Sequence, residues 1–286
     1  MTLKNIPLEE FFPFINWNYF FAAWSLRGRF PAIFNHPEKG RAAKELYEDA
    51  QQLLSNIMSE KLLQTHAVAQ IFPVCAEEDD IILYTDESRS SILKRLPQLR
   101  NQEAQQNKPN LCLADFIMPT THPQTDYAGL FTLSSGFGLN ELTKLFKKTQ
   151  NDYKAIMAKA LADRLAEACA IWLQRKIYHE YALLTGNNPN TVSGIRPAVG
   201  YPCCPDHSMK KDIFEVLQVE REIGMQLTES YMMLPETSIC GYLFFRPQAR
   251  YFSVGKIDAE QLDDYAARRG MSIDELKRLM PNNVEK

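Results

Sequence analysis

Gly194-Ile-Arg-Pro-Ala-Val-Gly-Tyr-Pro-Cys-Cys-Pro-Asp-His-Ser208 carries three prolines and two glycines in fifteen residues. Each proline lacks an N–H and fixes φ, and each glycine admits geometries that other residues avoid, so the stretch makes neither a regular helix nor a central strand. It reads as an ordered loop. Set in this stiff backbone are a guanidinium (Arg196), a phenol (Tyr201), two thiols (Cys203, Cys204) and an imidazole (His207), the kind of polar set that binding loops carry. Ser208 stands where it caps a helix through Ile213, Val216, Leu217 and Val219 that stops near Gly224.

Upstream of the loop, residues 152–181 predict one long helix, because Ile156, Met157, Ala160, Leu161, Leu165, Ala168, Cys169, Trp172, Leu173 and Ile177 recur at helical spacing. Asp163 and Glu167 lie four apart and emerge on one face of it; by pattern alone they are a solvated acidic edge neutralised by Arg164. Residues 140–148 predict a helix entered by a turn at Gly136-Phe137-Gly138, which lacks the third glycine and downstream acid of a dinucleotide fingerprint. Residues 113–118 and 127–133 read as strands, the second central, and the polar run 101–110 as a surface loop. Residues 68–74 and 81–84 form a hairpin around Glu77-Glu78-Asp79-Asp80, expected to be a solvated turn rather than a metal site. Residues 41–57 form an amphipathic helix, and the aromatic stretch 8–31 holds a further helix between Pro13 and Pro31 with Asn16 as its cap. Downstream, 228–234, 238–245 and 251–257 predict an antiparallel meander, followed by a helix over 259–269 and a capping box at Ser272-x-x-Glu275.

The composition excludes several functions. With 32 basic and 35 acidic residues the net charge is −3, which leaves no basic footprint for nucleic acid or an anionic membrane. The N-terminus lacks the order of a secretory signal and no apolar run approaches a membrane span, so the expected location is the cytoplasm. Six scattered cysteines are expected to be reduced thiols, and Cys203, Cys204 and His207 have the wrong spacing for zinc.

The run Arg196-Pro-Ala-Val-Gly-Tyr-Pro resembles the S-adenosylmethionine-binding signature, Arg-Pro-Ala-x-Gly-Tyr-Pro, of the C-terminal activation domain of cobalamin-dependent methionine synthase. Asn16-Trp17 with Trp24-Ser25-Leu26, Leu113-Ala-Asp-Phe116, Lys159 to Glu167, Leu227-Thr-Glu-Ser230 and Tyr251-Phe252 are similar to family segments in the same order. The resemblance implies a single α+β domain over 1–286, with 1–8 a linker or tail and a curved, mainly antiparallel sheet flanked by helices.

The resemblance also implies the ligand, S-adenosyl-L-methionine, with cobalamin supplied by a partner module in the same or a separate chain. Arg196 would take the ligand carboxylate in a bidentate fork, the structural alternative being an internal salt bridge. Ala198 would admit backbone groups to the adenine edge, and Tyr251 with Phe252 would form a second ligand-contacting segment, one of the two rings being core. Asn16 stands where the family has a ligand-contacting aspartate. Tyr201 would shape the methyl-transfer cavity near the corrin, as the catalytic candidate, while Asp163 and Glu167 would face the cobalamin-bearing module and hold the imidazole displaced from cobalt. The implied function is reductive remethylation of cob(II)alamin, with a flavodoxin-like or ferredoxin-like reductant. The alternative is a ligand sensor without reactivation activity, and the chain is too short to hold the homocysteine, folate and cobalamin modules as well.

Overall fold

The computed structural model describes residues 1–103 and 109–284, so part of the surface loop expected at 101–110 lies outside the described residues. The fold follows from two strands that are apolar on both faces. β5 (Asp126–Phe137) sends Phe131 and Leu133 into one core and Ala128 and Leu130 into another. β8 (Ser238–Phe244) divides Ile239 and Leu243 from Cys240, Tyr242 and Phe244 in the same way. Side chains alternate along a strand, so such strands need cover on both sides. They lie side by side in an antiparallel sheet of order β4-β3-β2-β5-β8, with β2 (Gln64–Glu77), β3 (Asp80–Tyr84) and β4 (Ile92–Pro97).

The first face is covered by α1 (Trp17–Ala23), α2 (Gly40–Ser59) and above all α4 (Asp152–Thr185), whose Leu161, Leu165, Cys169 and Leu173 pack with Phe131, Leu133 and Leu243. Asn151 starts α4 by accepting from the Lys154 N–H at 3.1 Å, which satisfies one of the donors a helix start leaves free. α3 (Leu139–Lys148) leads into it from β5. The second face is covered by α5 (Met209–Leu217), α6 (Val219–Ile223), residues 112–117 and the inner side of the loop 194–208. α7 (Ala259–Arg269) and α8 (Ile273–Leu279) close a smaller core with Leu99, Val254 and Ile257. The α+β class, the long helix and the antiparallel sheet agree with the sequence reading. No described helix is long and apolar enough to cross a membrane.

Several local expectations are corrected. Residues 1–8 are not a tail: β1 (Thr2–Leu3) pairs with β2, and Ile6 and Leu8 are buried. Residues 113–116 form a 3-10 turn instead of a strand, because the Asp115 carboxylate accepts from the Cys112 N–H at 2.8 Å and closes it. The acidic turn is solvated at Glu77 and Glu78 as expected, but it is also ion-paired: Glu77 meets Arg95 and Asp80 meets Arg268, each at 2.6 Å, and Asp79 meets Arg100. The helix after the loop breaks at Gln218, which is left-handed, and Ser208 does not cap it, because its hydroxyl is bonded to Asp206 at 2.7 Å. The C-terminal meander is absent from the described residues. β7 (Met233–Leu234) pairs with β6 (Gln226–Leu227) in a separate small sheet, β8 joins β5, and 251–256 is in no strand, with only Ile257 bridged, to Val284.

Candidate functional site

The proline-rich loop runs beside β8 as a further sheet edge. The Val199 N–H donates to Cys240 O at 2.9 Å, and the Tyr242 and Phe244 N–H groups donate to Pro197 O and Ile195 O at 3.0 Å each. Prolines can join such a ladder because the edge needs only their carbonyls. Gly241 makes it possible, since a Cβ there would collide with the Pro197 carbonyl. Alternation along this edge sends Ile195 and Val199 into the second core and turns Arg196 and Ala198 toward the α4 side. The edge ends in a tight turn where the Gly200 N–H donates to Cys204 O at 2.8 Å, and there Gly200 takes φ +91° against the His207 ring. Tyr201 follows, 59% exposed, at the tip.

The end of the loop is anchored by a buried polar network. Asp206 accepts from Tyr265 at 2.9 Å and from Ser208, Ser208 accepts from Arg269 at 2.9 Å, and Arg269 pairs with Asp212. Lys210, itself buried, donates to His207 Nδ1 at 2.8 Å and to Tyr231 O at 3.1 Å. Burial, and after it the Lys210 ammonium, pushes the His207 imidazole below its ordinary range, with Asp206 opposing. Of the groups that a zinc site would have used, these bonds engage His207 Nδ1.

Arg196 lies between the sheet edge and α4, its side chain 13% exposed. Its guanidinium sits 5.6 Å from the Phe131 ring centroid, and its Nη2 is 3.5 Å from Glu167 on α4. Buried Nε has no partner among the described residues. An unpaired buried donor costs about 1–3 kcal/mol, so this guanidinium is under-satisfied as it stands. Glu167 in turn lines an open cavity of about 410 Å³ with Asn16, Tyr201, Phe14, Tyr19, Arg164 and Ile171. Three predicted residues, Asn16, Glu167 and Tyr201, therefore meet around one space, with Arg196 reached through Glu167. Asn16 also caps α1 by accepting from the Asn18 N–H at 3.1 Å, as the sequence suggests.

The other predicted residues fall outside that cavity. The Tyr251 hydroxyl accepts from the Arg196 backbone N–H at 3.0 Å, its ring 62% exposed, while Phe252 packs toward Phe116 at 6.4 Å. The pair is not on a strand, yet it splits into one outward and one inward ring as the sequence suggests. Ala198 packs against the first core, and Asp163 stays at the surface one turn from Glu167. Protein crowding holds the Asp163 carboxyl above the usual carboxylate range; Arg164 opposes this, and Glu236 and Glu167 add to it. Arg164 itself makes no ion pair among the described residues and lies over the Tyr19 ring at 5.6 Å. Tyr19, Arg164 and Ile171 were missed as lining residues. Their spacing held the signal, since Tyr19 is three residues beyond Asn16 and Ile171 four beyond Glu167.

Fold and site together define a single-domain α+β protein in which α4, α1 with the residues before it, and the tip of the 194–208 loop line an open cavity. The chain belongs to the family described as vitamin B12 dependent methionine synthase, activation domain, which residues 7–270 match. It is also similar to a solved structure, the MetH reactivation domain bound to AdoHcy, at 38% identity and a TM-score of 0.93, over 100% of this chain and 90% of that one.

Proposed function

We propose that this chain binds S-adenosyl-L-methionine between the 194–208 edge and α4 and presents its methyl group to a cobalamin-bearing module of methionine synthase, returning inactive cob(II)alamin to the catalytic cycle. The observation that carries this reading is the Arg196 guanidinium, mostly buried, with Nε unpartnered and a single long ion pair among the described residues, beside a cavity rimmed by Asn16 and Tyr201. A guanidinium so held is preorganised for a carboxylate, and a planar fork suits it better than a lysine would. The family membership and the AdoHcy held by the similar structure support the same ligand class.

When bound, S-adenosyl-L-methionine would supply an electrophilic methyl on a sulfonium, and a flavodoxin-like or ferredoxin-like reductant one electron, for remethylation of the cobalamin that the partner module would hold, with S-adenosylhomocysteine as the leaving product. The chain's own residues bind and orient. Arg196 pairs with the ligand carboxylate, Asn16 offers its side-chain carbonyl to the ammonium, and Ala198 leaves room for backbone contacts with the adenine edge. Tyr251, the outward ring of its pair, closes the ligand from the loop side, with Phe252 packed behind it. Tyr201, exposed at the tip, faces outward to the corrin and excludes water from the transfer, while Asp163 and Glu167 meet a cationic group of the partner. Orientation and exclusion of water are what a protein contributes when its bound reagents carry the chemistry.

Calorimetry tests the binding step. Arg196→Ala should weaken S-adenosylmethionine by about ten- to a hundredfold, the loss of one charge-assisted contact of roughly 1.5–3 kcal/mol. Equal affinity in the two proteins would remove Arg196 from the site. Mixing the chain with cob(II)alamin methionine synthase lacking this domain, S-adenosylmethionine and a reductant tests the second step, and binding without recovered turnover would favour a sensor.

A further inference from the structure

We infer that Cys203 is a positioning residue, whose thiol holds the Phe252 backbone and so fixes Tyr251 and Phe252 against the Arg196 edge. The inference rests on the ligand site proposed above. Among the described residues 251–256 belong to no strand, and a bridge forms only at Ile257, to Val284, so the placement of 251–256 depends on individual bonds. The Cys203 Sγ accepts from the Phe252 N–H at 3.2 Å, and its S–H donates to Phe252 O at 2.9 Å. One side chain thus engages both backbone polar groups of one residue, as a strand neighbour would. A thiol can do this because sulfur both donates and accepts weakly.

The bonds on either side depend on the same register. The Arg196 N–H reaches the Tyr251 hydroxyl at 3.0 Å, and the Val254 N–H reaches Pro202 O at 2.9 Å. Cys203 is the link between these two, joining the candidate ligand segments into one unit. It is 5% exposed, and burial pushes its thiol up, with the Phe252 bond opposing, so it stays protonated and able to donate at neutral pH.

Two substitutions separate holding from packing. Cys203→Ser keeps a donor and an acceptor but is smaller and more polar, whereas Cys203→Val keeps apolar volume and loses both bonds. The expected order of S-adenosylmethionine affinity is wild type, then Cys203→Ser within about threefold, then Cys203→Val and Cys203→Ala about tenfold weaker. Thermal stability should run differently, with Cys203→Val nearer to wild type than Cys203→Ser. Hydrogen exchange at the Phe252 amide, measured without ligand, should show protection kept in Cys203→Ser and lost in Cys203→Val and Cys203→Ala. Wild-type protection in Cys203→Ala, or wild-type affinity in Cys203→Val with loss in Cys203→Ser, would overturn the inference. A wild-type chain that binds no S-adenosylmethionine while the exchange order holds would overturn the ligand reading instead and leave the thiol's holding role supported.

Discussion

Asn16 does two things with one amide: its carbonyl caps α1, and the residue lines the cavity with Glu167 and Tyr201. An aspartate would cap equally well, since Asn and Asp rank together at that position, and would add a negative charge at a helix N-terminus, where it is favourable. Asn16→Asp should therefore leave thermal stability unchanged or slightly higher. The same change replaces a neutral acceptor by a charged one for the ligand ammonium, a difference of about 1 kcal/mol or roughly fivefold in affinity. Calorimetry should show tighter S-adenosylmethionine, with a gain that shrinks as salt rises because Asn16 is exposed. The opposite sign would mean that Glu167, in the same cavity, already supplies the anionic partner.

The edge 194–208 and its neighbour β8 form the element on which the site depends, and each meets the other at a position with no room for a side chain. Gly241→Ala would drive a methyl group into the Pro197 carbonyl, so the Val199 and Tyr242 ladder bonds should open. A cost of roughly 1–3 kcal/mol is expected from overpacking, read as a lower thermal midpoint, together with loss of ligand binding. At the turn, His207 gives the loop a pH dependence. Its imidazole is held below its ordinary range, so the unfolded chain takes up a proton that the folded chain refuses once the pH falls below about 6.5. Stability contributed by neutral His207 is thus present above that pH and lost as the solution is acidified; His66, also lowered by burial, acts with the same sign. His207→Asn keeps an acceptor for Lys210 and should flatten the fall in thermal midpoint between pH 7.5 and 5.5. Much of this element was legible: Arg196 and Tyr201 stood out because stiff backbone and rare chemistry coincided, and α2, α4, α7 and α8 because apolar spacing and caps are local signals. The strand character of 195–199 was hidden, since three prolines argue against a strand unless the partner supplies the N–H groups. Likewise 251–256 has strand composition without a strand partner among the described residues, and Cys203 takes the ladder's place at Phe252.

Across the whole molecule, α4 joins the core to the surface, since its inner face fills the first core while Glu167 and Asp163 stand one turn apart at the surface. The structure divides these two carboxylates. Glu167 is bound to Arg196 and lines the cavity, whereas Asp163 touches neither, and its neighbourhood also holds Lys159 and Glu236, themselves 3.7 Å apart. If Asp163 serves the partner, its removal should separate activity from both binding and stability. Crowding raises its carboxyl above the ordinary value, so the folded chain holds that proton more firmly than the unfolded one, and ionised Asp163 destabilises the fold at neutral pH. Asp163→Asn should therefore keep or slightly raise the thermal midpoint at pH 7, and that gain should vanish as the pH falls below the ordinary carboxylate range. S-adenosylmethionine affinity should stay within about twofold, while recovery of cob(II)alamin methionine synthase should fall about three- to tenfold with a weaker salt dependence, the behaviour of a lost docking charge. Retained recovery would place the partner's cation on Glu167 alone. A more stable, ligand-competent and less active protein is what selection for the face, rather than for the fold, predicts.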